Sequence, residues 1–286
     1  MPKILFIGDI VGKPGRKILK EVLPQWKEKY QPDVTIVNVE NLAHGKGVTP
    51  GTLAELDSLD IDCYTSGNHI FNKDAASCFE KYDKLIRPAN FGENLPGYGY
   101  YRFSKPVVAP FMEPQEPDKS GNYNTDTKSQ QYLVINLNGQ VFMEKQFDGG
   151  IESPFLAVDK LLAEQGQKGD IIIVDFHCEA TSEKVAFGYY LDGRVTGLFG
   201  THTHVPTADA RVLSGGTAYI TDVGMTGARD GVIGVKKENV LEKFLHPEAK
   251  FKNEVEEDGM LQINGVLVEV NDNQKAVKIE KFYQEI

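Results

Sequence analysis

Oxygen- and nitrogen-bearing side chains recur in this sequence wherever an apolar run ends. Asp9 closes ILFIGD, Glu40 closes VTIVNVE, Asn68 and His69 close YTSGNH, His177 closes IIIVDFH, and His202 and His204 close GLFGTHTH. Carboxylate, amide and imidazole donors without a thiolate suit manganese, iron or zinc, and not a structural zinc or a calcium loop. Singly, each residue has a bland use: an Asp or Asn after a strand commonly makes a turn, and a histidine at a strand end is commonly a satisfied core residue. The repetition lifts the set above its members, because five of the 6 histidines lie in Gly-flanked segments beside apolar runs and only His246 stands apart. In His202-Thr203-His204, strand alternation would send both imidazoles to one side. Six donors, Asp9, Glu40, Asn68, His177, His202 and His204, exceed what one tetrahedral ion takes, and a shared carboxylate such as Glu40 would divide them between two ions. Asn41 could add an oxygen or serve as a turn residue. Two such ions about 3.5–4 Å apart hold a water between them, acidify it and clamp phosphoryl oxygens.

The elements that must position these residues follow from periodicity. From Lys3 to His69, β-type runs alternate with helical ones, and Ile18, Leu19, Val22, Leu23 and Trp26 fall on one helical face after the Gly12 to Gly15 turn. Pro24 inside that helix predicts a kink or an early break. VTIVNVE and IIIVDFH are nearly continuous in apolar residues, as strands covered on both faces are. The Pro-, Ser- and Asn-rich stretch 104–131 reads as an exposed insertion, and Asn138-Gly139 between apolar runs reads as a hairpin turn. Helices are expected at Pro154 to Gln165, at Thr181 to Tyr190 with Thr181-Ser182 at its start, and near Glu238 to Leu245. GMLQINGVLVEV and KAVKIEKFYQEI read as a closing antiparallel pair. Open α/β sheets collect ligands at the carboxyl ends of their strands, so these remote loops could share one site. A layered α/β domain with two sheets, spanning 1–286 as a single unit, is the simplest architecture.

Composition narrows the function. The chain has 286 residues, 41% hydrophobic and 25% charged, which is ordinary for a globular domain. The excess of 41 acidic over 31 basic residues, a net charge of −10, opposes bulk binding to nucleic acid or to an anionic membrane. A small phosphorylated substrate is compatible if cations neutralise it locally. Cys63, Cys78 and Cys178 form no CxxC pair, which fits a reducing cytoplasm, and no signal or membrane segment is legible. Cys178, next to His177, is expected to point into the core. Glu179, Ser182 and Asp222 lie near enough in sequence to orient imidazoles. The GDIVGKPG turn has neither Walker nor Rossmann spacing.

The segments GDIVGKPG, NVENLAHGKG, TSGNHIF, DFHCEATSEK, GTHTHV and TDVGMTG resemble the calcineurin-like metallophosphoesterase superfamily and, in detail, its bacterial YmdB-type branch. The resemblance covers nearly the whole chain outside 104–131. It implies a two-sheet αββα sandwich with the active site at the carboxyl ends of the strands. It also implies a metal-dependent phosphodiesterase acting on 2′,3′- and 3′,5′-cyclic nucleotides through a hydroxide shared by two ions of iron, manganese or zinc. Asp9, Glu40, Asn41, Asn68, His177, His202 and His204 would be the ligands, with Glu40 bridging, and His69 would face the leaving group. His44 in AHGKG could touch substrate. The third motif ends in GNHI where the superfamily commonly has GNHE or GNHD, so the usual carboxylate support for the histidine is missing. A phosphomonoesterase, or a regulatory protein that binds nucleotides at a metal centre without turnover, are the alternatives. A homo-oligomer is left open.

Overall fold

The same face of each central strand is apolar along its length and turns polar at its carboxyl end, and this one pattern builds both the core and the floor of the site. In the computed structural model, which describes residues 1–92, 94–107, 129–143, 147, 150–248 and 250–286, the chain forms two sheets flanked by helices. In chain order the strands are β1 (Lys3–Ile7), β2 (Val34–Asn38), β3 (Cys63–Thr65), β4 (Tyr100–Pro106), β5 (Ser129–Asn138), β6 (Ile171–His177), β7 (Gly197–Thr201), β8 (Arg211–Val212), β9 (Ala218–Ile220), β10 (Gly227–Ala228), β11 (Leu261–Val270) and β12 (Ala276–Glu285). The helices are α1 (Gly12–Tyr30), α2 (Pro50–Ala54), α3 (Ala75–Lys81), α4 (Pro154–Gln165), α5 (Thr181–Leu191) and α6 (Lys237–Leu245).

In the first sheet β1, β2 and β3 are parallel, while β11 joins β1 antiparallel and carries β10 and β12. The second sheet has the order β4-β5-β6-β7-β9-β8, parallel in its centre with antiparallel β4 and β8 at its edges. Alternation divides the side chains between layers. Leu5 and Ile7 of β1 pack towards α1, Ile4 and Phe6 of the same strand meet Ile173 and Phe199 between the sheets, and Ile172 and Val174 of β6 pack with Phe187 of α5. The expected αββα sandwich is what these residues make.

α1 buries Ile18, Leu19, Val22, Leu23 and Trp26 as their spacing predicts, but it runs through Pro24 without ending. Pro24 and Lys20 are exposed, so the bond Pro24 cannot make to the Lys20 carbonyl is lost on the solvent side, where water replaces it. α4, α6 and the β11-β12 pair match expectation. Two expectations fail. Among the described residues no hairpin forms at Asn138-Gly139: β5 ends there between β4 and β6, and Gly139 lies so close to the next layer that a Cβ on it would stand 2.5 Å from Cys178 Sγ. The insertion is shorter than 104–131, since Ser104, Lys105 and Pro106 of β4 pair with Gln131, Gln130 and Ser129 of β5. Its remainder, 108–128, lies outside the described residues.

The three cysteines are unpaired and buried, and Cys178 points into the α5 layer as expected. Among the described residues no helix is long and apolar enough to cross a membrane.

Candidate metal centre

Asp9, Glu40, Asn68 and His177 converge where the carboxyl ends of β1, β2, β3 and β6 meet, all of them buried. Beneath them is a polar layer that continues the apolar face between the sheets. Asp175, two residues before His177 and so on the same face of β6, accepts hydrogen bonds from Asn38 Nδ2 at 2.8 Å, Thr201 Oγ1 at 2.7 Å and Thr65 Oγ1. Asn38 Oδ1 in turn accepts from the Glu40 N–H at 2.9 Å, which fixes the backbone that presents Glu40. Gly67 is needed for a steric reason: a Cβ there would stand 2.1 Å from His177 Cδ2, so only glycine lets that loop pass against the imidazole.

The tautomer of each histidine follows from its outer partner. Thr201 spends its proton on Asp175, so at 2.9 Å it accepts from His177 Nδ1–H, which leaves a lone pair on His177 Nε2. His204 Nδ1 donates to the Ile233 carbonyl at 2.8 Å, leaving Nε2 as an acceptor. His202 Nε2 is 3.1 Å from Glu179 Oε2 and donates to it, which frees its Nδ1. The inward atoms are therefore lone pairs, and they face other acceptors. His177 Nε2 is 3.0 Å from His202 Nδ1 and 3.1 Å from Asn68 Oδ1, and His204 Nε2 is 3.2 Å from Asn41 Oδ1. The Asn41 amide is oriented by its donation to the Gly45 carbonyl at 3.0 Å.

Two oxygens join them without a hydrogen bond. Asp9 Oδ2 accepts from the His202 N–H at 3.2 Å and Glu40 Oε1 from the His69 N–H, but buried Asp9 Oδ1 and Glu40 Oε2 have no hydrogen bond. Burial first, with the nearby Asp222 charge, pushes the Asp9 carboxyl up to about 7. Burial raises Glu40 well above the ordinary range, and Asp9 adds to it. The imidazoles shift the other way: burial, then neighbouring His204 and Lys184, holds His202 at about 3, and burial depresses His177 and His204. Lone pairs facing lone pairs, orphaned carboxylate oxygens and neutral imidazoles all describe a place that gains from positive charge. Among the described residues no three His, Cys, Asp or Glu side chains surround one point ready to hold an ion. The set that does converge is mixed, with amide oxygens of Asn41 and Asn68 among its members, and its donor chemistry fits cations of the manganese, iron or zinc type.

The reason His202 and His204 point inward differs from the one their spacing suggests. β7 ends at Thr201, and both histidines follow on left-handed backbone, with φ of 96° and 68°. Strand alternation therefore does not align them; a held turn does. Lys184 of α5, fully buried, donates to the Thr201 carbonyl at 2.8 Å and pairs with Asp222 at 2.7 Å, and the same Asp222 oxygen accepts from the Thr203 N–H at 3.1 Å. One buried ion pair thus grips the backbone on both sides of His202. α5 starts earlier than a Thr181 or Ser182 cap would place it: its N-cap is Ala180, which makes no side-chain capping bond. Glu183 and Lys184 in its first turn face inward, Glu183 accepting from the N–H groups of Gln140 at 2.9 Å and Val141 at 3.1 Å.

His69 and His44 stand at a cavity of about 280 Å³ above the donors, beside Lys46, His202 and His204. His44 is exposed at the rim, with φ of 55°. For His69, Asn72 supplies the support that the missing motif carboxylate would have given: its Nδ2 lies 3.3 Å from His69 Nδ1, so Nδ1 accepts and Nε2 carries the proton. Burial, with Lys46 and His204 nearby, lowers its pKa to about 4. Sequence reading missed Asn72, Lys184, Asp175 and Lys46. Asp175 was findable, because it shares the face of His177 by alternation; Asn72 and Lys184 carried no local signal.

The comparisons with known proteins agree with the fold. A family model described as YmdB-like protein matches residues 5–282. A 2′,3′-cyclic-nucleotide 2′-phosphodiesterase of Bacillus subtilis (strain 168) is 41% identical over 282 residues, 98% of this chain and 96% of the relative. Among solved structures, a novel phosphatase from Mycoplasma pneumoniae superposes with a TM-score of 0.83 at 34% identity, covering 99% of this chain and 93% of that one. A hypothetical protein from Thermus thermophilus superposes with a TM-score of 0.82 at 32% identity, covering 99% of both chains.

Proposed function

The chain belongs to the YmdB-like family, and from its convergent lone pairs we propose that this phosphoesterase opens cyclic nucleotides of the 2′,3′ class, and the 3′,5′ class beside it, at a two-metal centre. The observation that carries the proposal is the meeting of His177 Nε2, His202 Nδ1 and Asn68 Oδ1 in one group and of His204 Nε2 and Asn41 Oδ1 in another, with orphaned oxygens of Asp9 and Glu40 beside them. These seven residues would hold two ions of iron, manganese or zinc, with Glu40 shared. Bound there, such ions supply the positive charge that draws in phosphoryl oxygens and acidifies water.

The rest of the chemistry belongs to side chains. Thr201, Glu179 and the Ile233 carbonyl hold each imidazole in the tautomer that turns a lone pair inward. His69, neutral at pH 7 because its pKa is held near 4, presents Nε2–H to the cavity. A neutral imidazole there donates a hydrogen bond to the departing ribose 2′-oxygen and stabilises the charge that builds on it as the ester breaks, while solvent supplies the proton that the alkoxide takes. Cleavage of the 2′-ester leaves a nucleoside 3′-phosphate. The three unpaired cysteines suit a cytoplasmic setting.

Purified protein loaded with manganese or iron should hydrolyse 2′,3′-cyclic AMP and a bis-aryl phosphodiester, and Asp9→Asn or His69→Ala should abolish both with the fold intact by circular dichroism. Unchanged turnover in both variants refutes the assignment. Monoester hydrolysis, suggested by the phosphatase neighbour, is separated by comparing mono- with diester turnover on the same preparation.

A further inference from the structure

The cavity above the donors is lined by two unlike sets of residues. One is His69, Lys46 and the metal-facing groups; the other is aliphatic, Ile233, Val235 and Val255, with Asn253 also in the lining. This second set is a built element. Val232 and Val235 exchange backbone hydrogen bonds at 2.8 and 3.0 Å, and the turn is tied to the returning chain by Lys236 N–H to Glu254 O at 2.9 Å and Glu256 N–H to Gly234 O at 2.9 Å. Val255 rests on the bare backbone of two loops that carry candidate ligands, since a Cβ on Gly12 or Gly45 would stand 2.9 or 2.8 Å from its methyls. Ile233 is the unusual member: a β-branched residue on left-handed backbone, φ 48°, 50% exposed, whose carbonyl orients His204. Strain of this kind persists where the surroundings impose it, and it gathers at ligand sites.

Resting on the cyclic-nucleotide reading, we infer that this aliphatic wall is the nucleobase subsite. The phosphoryl group belongs among the charged donors, so the organic half of the ester must occupy the remainder of the cavity. A base is flat and apolar on its faces, with hydrogen-bonding groups confined to its edge, and that is the chemistry of three aliphatic side chains with one exposed amide in the same lining. The volume, about 280 Å³, is near the lower end of the roughly 300–1,000 Å³ of small-ligand sites, which suits a mononucleotide.

The test compares kcat/KM for 2′,3′-cyclic AMP with that for the base-free ester, ribose 2′,3′-cyclic phosphate. Ile233→Asn removes the apolar surface while favouring the same left-handed backbone, and Val255→Thr keeps the shape against Gly12 and Gly45. The preference of the unmodified protein for the nucleotide should fall about tenfold in Ile233→Asn and less in Val255→Thr. An unchanged preference, or equal losses on both esters, overturns the subsite. Calorimetric binding of 3′-AMP against ribose 3-phosphate reads the same wall without turnover. Tighter 3′-AMP binding that Ile233→Asn weakens supports the subsite even if the diesterase reading fails, and equal binding of the two ligands sinks it.

Discussion

Asp9, Glu40, Asn68 and His177 are at most 2% exposed and stand on ordinary backbone at strand ends, whereas His44, His202, His204 and Ile233 around the mouth all have positive φ. The floor is positioned by the sheets themselves: each strand end can go only where its ladder takes it, and Asp175 ties the two sheets together beneath. The rim is positioned against local preference, at a cost of order 1–3 kcal/mol for each strained residue, and needs a dedicated holder. That holder is the Lys184–Asp222 pair for the His202 turn and the Val232–Val235 turn for His204. Burial without strain gives a fixed set of donors; strain held by a second layer gives donors whose position depends on residues that touch no ligand.

The contrast can be broken most forcefully at Lys184. Lys184→Met leaves Asp222 buried without its partner and should cost about 3–5 kcal/mol in urea unfolding. Adding Asp222→Leu should recover much of that stability but not metal binding, because the Thr201 carbonyl and Thr203 N–H remain unheld. Full recovery of binding in the double variant would show that the turn holds itself. Thr201→Val acts on the floor: it removes the link between Asp175 and His177 Nδ1, leaves the imidazole free to change tautomer, and should weaken metal affinity about 10–100-fold with a smaller loss of stability. An unaltered manganese dissociation constant would refute that relay.

A pH titration sharpens the comparison with the smallest effect. The raised Asp9 carboxyl keeps its proton below about 7, and a cation must displace it, whereas His202 stays neutral down to about 3 and does not compete in that range. Affinity for manganese should therefore rise with pH through the Asp9 range and fall about tenfold per pH unit below about 7 for each proton displaced. Calorimetry between about pH 5.5 and 8 measures this, and a flat affinity across that range would show that Asp9 is already ionised.

Much of the floor was legible in the sequence, since a strand's carboxyl end is a place defined by topology: Asp9, Glu40 and His177 each close an apolar run, and Asn68 follows a short strand. His202 and His204 were legible as residues but not by mechanism; alternation assumed a strand that stops at Thr201. Asn138-Gly139 misled for the opposite reason. Its turn tendency is local and the sheet overrides it: Asn138 pairs with His177 as the last residue of β5, and the chain turns at Gln140 to Met143, where the Gln140 and Val141 N–H groups donate to Glu183. Pro24 failed to end α1 because burial of Leu23 and Trp26 outweighed one hydrogen bond lost to solvent.

By itself the sequence determined which atoms were available for chemistry and the layered class that could gather them, because residue type and period are local properties. Only the tertiary structure decided which way each metal-facing imidazole turns and that Lys184 and Asp222 hold the rim. Those outcomes depend on pairs such as Asn38 with Asp175 or His204 with Ile233, which are remote in the chain and meet only when both sheets have packed.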